Sequence, residues 1–215
     1  MDLDERFEPP SIGDFGDEEY GDKLIEYFER SNQAGIWRQH DTSRERYEEY
    51  VEDFLNRFNG DLSDPFYILD VGSSTGTALD YFAGRLEEEK NVNTVSISLD
   101  INRAVLGENR ENGYSDRYVT GKAQELPFRE DCFDYVICNG LIGYLPREDQ
   151  VETLKEVSRV LKEDGKAGLA VKADHKNTFT QKEIREVTEL LRENQEKCSE
   201  QAVKRFHEFE KELEF

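Results

Sequence analysis

Tyr67–Gly76 reads YILDVGSSTG, and its reading decides the fold. The apolar run Tyr67-Ile68-Leu69 is a short buried strand that ends near Asp70. Gly72 and Gly76 follow, four residues apart, and the chain then enters a helix at about Thr77 and Ala78. A tight turn of small residues lets backbone N–H groups approach a ligand closely, and a helix start leaves further donors unpaired. Strand, turn and helix together make a place for a nucleotide-like ligand. The turn is not a dinucleotide fingerprint, because G-x-G-x-x-G from Gly72 would need glycine at 74 and 77, where Ser74 and Thr77 stand. Its spacing suits a ligand with no pyrophosphate to cradle.

Downstream of the helix expected over about 77–89, strand and helix patterns alternate. Thr94–Leu99 has period-2 character and ends at Asp100; a short helix through Ala104, Val105 and Leu106 closes at Asn112-Gly113. Arg117–Thr120 and Phe133–Cys138 read as the third and fourth strands, the latter ending at Asn139-Gly140. A helix over about Arg147–Leu161 carries Val151, Leu154, Val157, Val160 and Leu161 on one face, with Asp164-Gly165 as its expected stop and Ala167–Val171 as a fifth strand. Strands separated by helices of this length imply a parallel sheet covered on both faces.

Upstream, residues 1–16 are acidic and rich in Pro and Gly, with little to bury, and read as a disordered tail. Tyr20, Leu24, Tyr27 and Phe28 fall at helical spacing. A second helix opens with the capping-box pair Thr42 and Glu45, carries Tyr47, Tyr50, Val51, Phe54, Leu55 and Phe58 as one stripe, and stops at Asn59-Gly60. Most of that stripe reads as ordinary core, with a few rings left to line a pocket. Beyond Asp174 the apolar spacing favours helix through about Asn194, while alternation at Phe209, Lys211, Leu213 and Phe215 leaves the last 20 residues open between helix and strand.

Composition narrows the classes. Asp and Glu number 49 against 28 Lys and Arg, a formal charge of −21. Such a surface disfavours nucleic acid and anionic membrane. Its acids are spread along the chain, which favours adaptation to a salty, halophilic cytoplasm over a dedicated site for a basic partner. Three cysteines, Cys132, Cys138 and Cys198, lack C-x-x-C spacing, so neither a disulfide framework nor a metal site is expected. No apolar run reaches the ~18–20 residues of a membrane span, and the acidic start MDLDERFEPP has no apolar signal core. The expected setting is cytoplasmic.

Ligands in such sheets sit beyond the carboxyl ends of the strands, where strand order reverses. Three strand ends carry suitable groups: Asp70, Gly72, Ser73, Ser74 and Gly76 at the first; Asp100 at the second, able to accept both hydroxyls of a ribose; and Asn139-Gly140 at the fourth, with open backbone.

These residues resemble the class I S-adenosylmethionine-dependent methyltransferases, in the small-molecule group with an LPF segment. Asp70–Gly76 matches the glycine-rich signature, with Ser74 in the middle glycine's place, and Asp100 matches the ribose-binding acid. Gly121–Phe128 (GKAQELPF) with Cys132–Val136, and Val160–Lys166 (VLKEDGK), match the third-loop, fourth-strand and fifth-strand signatures. The match runs over roughly 66–172, four motifs in order. It implies a Rossmann-like parallel sheet with helices on both faces, an N-terminal helical cap over 17–60 and a methyltransferase domain over 61–215. The C-terminal hairpin would be altered or replaced by helix, because the tail lacks the usual Gly-Phe signal.

The resemblance further implies that Gly72 and its neighbours face the methionine part of S-adenosylmethionine, with Asn139 beside it. Asp100 would hold the ribose, Ile101 pack on the adenine, and Ala123 and Gln124 border its edge. Lys122 stands where many members carry an acid that reads the adenine amino group. Methyl transfer from a sulfonium needs alignment and dehydration more than an elaborate catalytic group. Should the acceptor arrive protonated, the candidate bases are His175, Tyr144, His40 and Tyr47, with Trp37 near the acceptor, although surface or core roles are the commoner fate of such residues. Cys138 reads as a buried strand residue. The expected reaction is methylation of a small-molecule acceptor. The alternatives are a non-catalytic binding or scaffold protein acting through a partner, a nicotinamide-dependent oxidoreductase, which the glycine spacing disfavours, and an RNA acceptor, which no basic stripe supports.

Overall fold

The computed structural model describes residues 62–170 without a break, and upstream of them positions 23, 26, 27, 30, 31, 47, 48, 51, 52, 54 and 55. The continuous part runs β1 (Phe66–Val71), α1 (Thr77–Lys90), β2 (Thr94–Asp100), α2 (Arg103–Asn112), β3 (Arg117–Thr120), β4 (Phe133–Asn139), α3 (Arg147–Val160) and β5 (Leu161–Ala170), with a 3-10 turn at Ile142–Tyr144 before α3. All strands are parallel, in the order β3-β2-β1-β4-β5.

β1 is central because it is apolar on both faces: Ile68, Leu69 and Val71 are fully buried. Alternation sends Leu69 and Val71 toward α3, where Leu154, Val157 and Val160 meet them, and Phe66 and Ile68 toward α1, where Leu79, Phe82 and Leu86 lie. The second face is completed from upstream. Val51, Phe54 and Leu55 belong to the α1-side core, and the Phe54 ring packs edge-on against Phe66, Phe82 and Tyr135. Glu48 accepts hydrogen bonds from Tyr81 and Arg85 of α1, which hold its carboxyl below the usual range. Lys90 reaches back to the Leu55 carbonyl at 3.1 Å. All the described upstream positions are helical, and Val51, Phe54 and Leu55 fill the sheet face, as most of the aromatic stripe was expected to do.

Two expectations need correction. α3 ends at Val160, one residue from the expected Leu161, but Asp164-Gly165 is not its stop, and β5 begins at Leu161, well before Ala167. The reason is a register shift: Leu161 pairs with Phe133, and Lys166 with Tyr135, so Lys162–Gly165 is an irregular excursion within the strand. Gly165 is needed there because a Cβ would lie 2.9 Å from the Phe133 carbonyl oxygen. Gly165 therefore marks a close backbone approach and not a helix stop. The expected C-terminal helix or hairpin, the acidic tail, and His40, Trp37 and His175 lie outside the described residues.

Candidate functional site

The chain crosses the sheet between β3 and β4, so strand order reverses between β1 and β4, and the candidate site lies at their carboxyl ends. Registry brings its parts together: Asp70 of β1 pairs with Ser98 of β2 and Ile137 of β4, two residues short of Asp100 and Asn139 respectively. The turn after β1 is held by Leu99, whose carbonyl accepts from Gly72 N at 2.8 Å and Ser73 N at 3.0 Å. Gly72, Ser74 and Gly76 have φ of 73°, 48° and 83°, all left-handed. A side chain at Gly76 would collide with the Asn109 amide, its Cβ only 2.3–2.4 Å from three atoms there. At Gly72 the neighbour is Leu141, at 3.1–3.3 Å. Gly76 is thus demanded twice, by conformation and by space, and Gly72 by conformation, with Leu141 fitting tightly beside it.

Asp100 joins the turn to β2. Its Oδ2 accepts from Ser74 N at 3.0 Å and its Oδ1 from Asn102 N at 2.8 Å. Burial pushes this carboxyl above the usual range, opposed by the N–H groups of Asn102, Ser74 and Ile101. A carboxylate offers about four acceptor sites, so capacity for a ribose hydroxyl remains beyond these three donors. Asn102 caps α2, its Oδ1 accepting from Ala104 N and Val105 N, while its Nδ2 is buried without a protein partner. Ser73 Oγ is likewise buried and unpartnered. Asp70 is 2% exposed, and its charge adds to burial in pushing the Cys138 thiol up to about 12. Cys138 is therefore an inert core residue, as expected.

The remaining expected residues fall around this turn. Ile101, just past the end of β2, is 45% exposed, unusual for a large apolar side chain. Gly121 N donates to the Asp100 carbonyl at 3.2 Å, which carries buried Ala123 and half-buried Gln124 alongside β2, with Lys122 exposed between them. Asn139 is half-buried and Gly140, left-handed, has open space where a Cβ would stand. Asn139 also lines a mostly apolar cleft with Tyr47, Val51, Ala78, Phe82, Tyr135, Ile137 and Gly168, enclosing about 320 Å³ with its open mouth included. Of the candidate bases, buried Tyr47 reaches this cleft and half-buried Tyr144 sits in the 3-10 turn.

Residue-by-residue reading missed Asn102, Asn109 and Leu141. Asn102 had a signal, an Asn immediately before a helix. Asn109 and Leu141 had none, since both act through tertiary packing. Among the described residues, no group of His, Cys, Asp and Glu is arranged to hold a metal, and no helix is long and apolar enough to cross a membrane.

The arrangement suits a nucleoside better than a phosphate. An acceptor-only carboxylate binds a diol and repels an anion, and the ends of β1 and β2 carry Asp70 and Asp100. Comparison with known proteins agrees. The family model for a methyltransferase domain matches residues 68–165. The ubiquinone/menaquinone biosynthesis C-methyltransferase UbiE of Rickettsia massiliae is 34% identical over 107 residues, 46% of this chain and 42% of that protein. The chain spans about two fifths of the length of the curated relatives it matches. Two solved structures share the fold. One, from Methanococcus maripaludis and solved as an S-adenosyl-L-methionine-dependent methyltransferase, has TM-score 0.50 and 18% identity, with 88% of this chain and 84% of that one covered. The other, the Haemonchus contortus phosphoethanolamine N-methyltransferase 1, has TM-score 0.54 and 19% identity, with 71% and 32% covered. Residues 68–165 thus match a methyltransferase domain laid on a 3-2-1-4-5 parallel sheet, and over its four ordered motifs the chain is similar to the class I S-adenosylmethionine-dependent methyltransferases.

Proposed function

We propose that this chain transfers a methyl group from S-adenosylmethionine to a small-molecule acceptor. The observation that carries the reading is Asp100: a half-buried carboxylate held by the backbone N–H of Ser74 on one oxygen and of Asn102 on the other, braced against a left-handed glycine turn at the strand-order reversal. The residues present fit the cofactor. Gly72 and Gly76 hold the turn left-handed, with no room for a side chain at 76, and Ser73 Oγ and Asn102 Nδ2 are buried polar atoms without protein partners next to it. Asp100 would accept the ribose hydroxyls, the backbone from Gly72 to Ser74 would take the methionine end beside Asn139, and Ile101, Ala123 and Gln124 would enclose the adenine. Asp70 contributes negative charge beside the turn.

When bound, S-adenosylmethionine supplies a methyl group on an electrophilic sulfonium. The chain's part is to align and to exclude water. Tyr47, Val51 and Phe82 give the neighbouring cleft an apolar wall, so in this reading the stretch 17–60 caps the site through Tyr47 while Val51, Phe54 and Leu55 serve the core. A base is needed only for an acceptor that arrives protonated; Tyr47 and Tyr144 are the described candidates, and His40 and His175 the others.

A small acceptor is supported by the Rickettsia relative, a C-methyltransferase of ubiquinone/menaquinone biosynthesis. A formal charge of −21 disfavours RNA and suits a salt-rich, cytoplasmic setting. The test is methyl transfer from labelled S-adenosylmethionine in high salt to a panel of small acceptors bearing oxygen, nitrogen or activated carbon, with RNA alongside. Label in a small product supports the reading, and label confined to RNA overturns its acceptor class. Cofactor binding without turnover on any acceptor favours a non-catalytic binding protein.

A further inference from the structure

The segment from Gly121 to Phe128 leaves the edge strand β3 and carries Ala123 and Gln124 past the ribose carboxylate. It is tied at both ends. At one end Gly121 N donates to the Asp100 carbonyl oxygen at 3.2 Å. At the other, two side chains of α3 grip the main chain of Leu126-Pro127-Phe128. Glu156 Oε2 accepts from Leu126 N at 2.7 Å. Arg159 donates through one guanidinium nitrogen to the Phe128 carbonyl at 2.8 Å and through the other to the Leu126 carbonyl at 3.1 Å. The two side chains are bonded to each other twice, at 2.6 Å each.

Proline at 127 leaves room for such a grip. Pro127 has no N–H to offer, so no regular ladder forms there; the Leu126 carbonyl accepts locally from Phe128 N at 2.8 Å, and Arg159 supplies its second donor and the donor to the Phe128 carbonyl. A guanidinium is the side chain whose fork satisfies two carbonyls and a carboxylate at once. Arg159 holds the Glu156 carboxyl below its usual range, with Leu126 N–H adding to the effect, so the pair stays charged well into acid.

The placement of the segment matters because of residue 122. Lys122 is exposed, and an ammonium only donates, so it offers nothing to an exocyclic amino group, which also donates. Acceptors for that group must come from the backbone around Ala123 or from the Gln124 amide. Backbone contacts are only as good as the position of the backbone.

We propose that Glu156 and Arg159 are positioning residues for the base of the cofactor. They hold the 121–128 segment where its main chain and Gln124 read the adenine amino group. The inference rests on the cofactor reading above.

The experiment uses the full chain and two ligands, S-adenosylhomocysteine and its analogue lacking the 6-amino group, with calorimetric Kd values for each. Wild type should prefer the amino-bearing ligand by about tenfold, the worth of one good hydrogen bond to a buried acceptor. Arg159→Ala should weaken S-adenosylhomocysteine by about that factor and the analogue by much less, so the preference collapses toward one. Arg159→Lys, which keeps charge but not the fork, should lose most of it. Glu156→Gln, which keeps an acceptor for Leu126 N–H, should retain more than Glu156→Ala. A merely structural tie would move melting temperature and leave the ratio alone. A folded Arg159→Ala or, should that variant not fold, a folded Arg159→Lys with the wild-type ratio overturns the proposal. Wild type that binds both ligands equally does so as well. Wild type that binds neither overturns the cofactor reading itself, a different result.

Discussion

Gly76→Ala is the substitution whose cost follows most directly from the coordinates. Residue 76 has φ of 83°, where an alanine is disfavoured by about 1–2 kcal/mol. Its Cβ would also lie within 2.4 Å of the Asn109 amide, so Asn109 must move. That side chain is fully buried and donates from Nδ2 to Ser98 Oγ at 2.9 Å, and Ser98 in turn shares a 2.6 Å bond with Ser115. Losing a buried hydrogen bond costs about 1–3 kcal/mol. Together the two effects predict a loss of about 2–5 kcal/mol, a large share of the ~5–15 kcal/mol typical of a domain. Urea unfolding in high salt measures it. The sharper readout is the cycle with Asn109→Ala. Removing the amide relieves the collision, so the double variant should lose about 1–3 kcal/mol less than the two singles summed. Additivity within about 0.5 kcal/mol, or a Gly76→Ala cost below about 1 kcal/mol, would refute the collision as the reason for glycine.

Two further outcomes follow from the same site and core. Burial holds the Asp100 carboxyl above its unfolded value, so its contribution to the free protein is fully present below the unfolded value and is lost as pH rises through the folded one. Hydroxyl donors favour the ionised form, so binding S-adenosylhomocysteine in that pH window should release protons, measurable by calorimetry in buffers of different ionisation enthalpy. No release from wild type, or equal release from Asp100→Ala, would contradict the assignment. Phe54→Ala should cost about 3–5 kcal/mol, because its ring sits among Phe66, Phe82 and Tyr135; a urea midpoint unmoved with unchanged slope would show that this upstream stretch is no part of the core.

Local chemistry made much of this legible in advance. Tyr67–Leu69 is apolar on every residue, as a central parallel strand must be, and Gly76-Thr77 and Asn112-Gly113 mark helix ends by backbone conformation alone. Asp100 was placed by its distance along the chain from the turn. Gly165 misled because a helix stop and a close strand crossing ask for the same residue, and only the partner strand distinguishes them. Asn109, Leu141 and the Glu156–Arg159 grip were invisible for a related reason. Each acts on a main-chain segment far away in sequence, Arg159 on Leu126 across 33 residues, and no local period records such a contact.

The site residues stand or fall with Asp100. Titration calorimetry in high salt should be run on wild type and Asp100→Ala with S-adenosylmethionine, S-adenosylhomocysteine and NAD. The expected result is saturable binding of both sulfur compounds by wild type, loss of about tenfold or more in the variant, and no heat from NAD. Binding of neither sulfur compound by wild type, or equal binding by a folded Asp100→Ala, would contradict it.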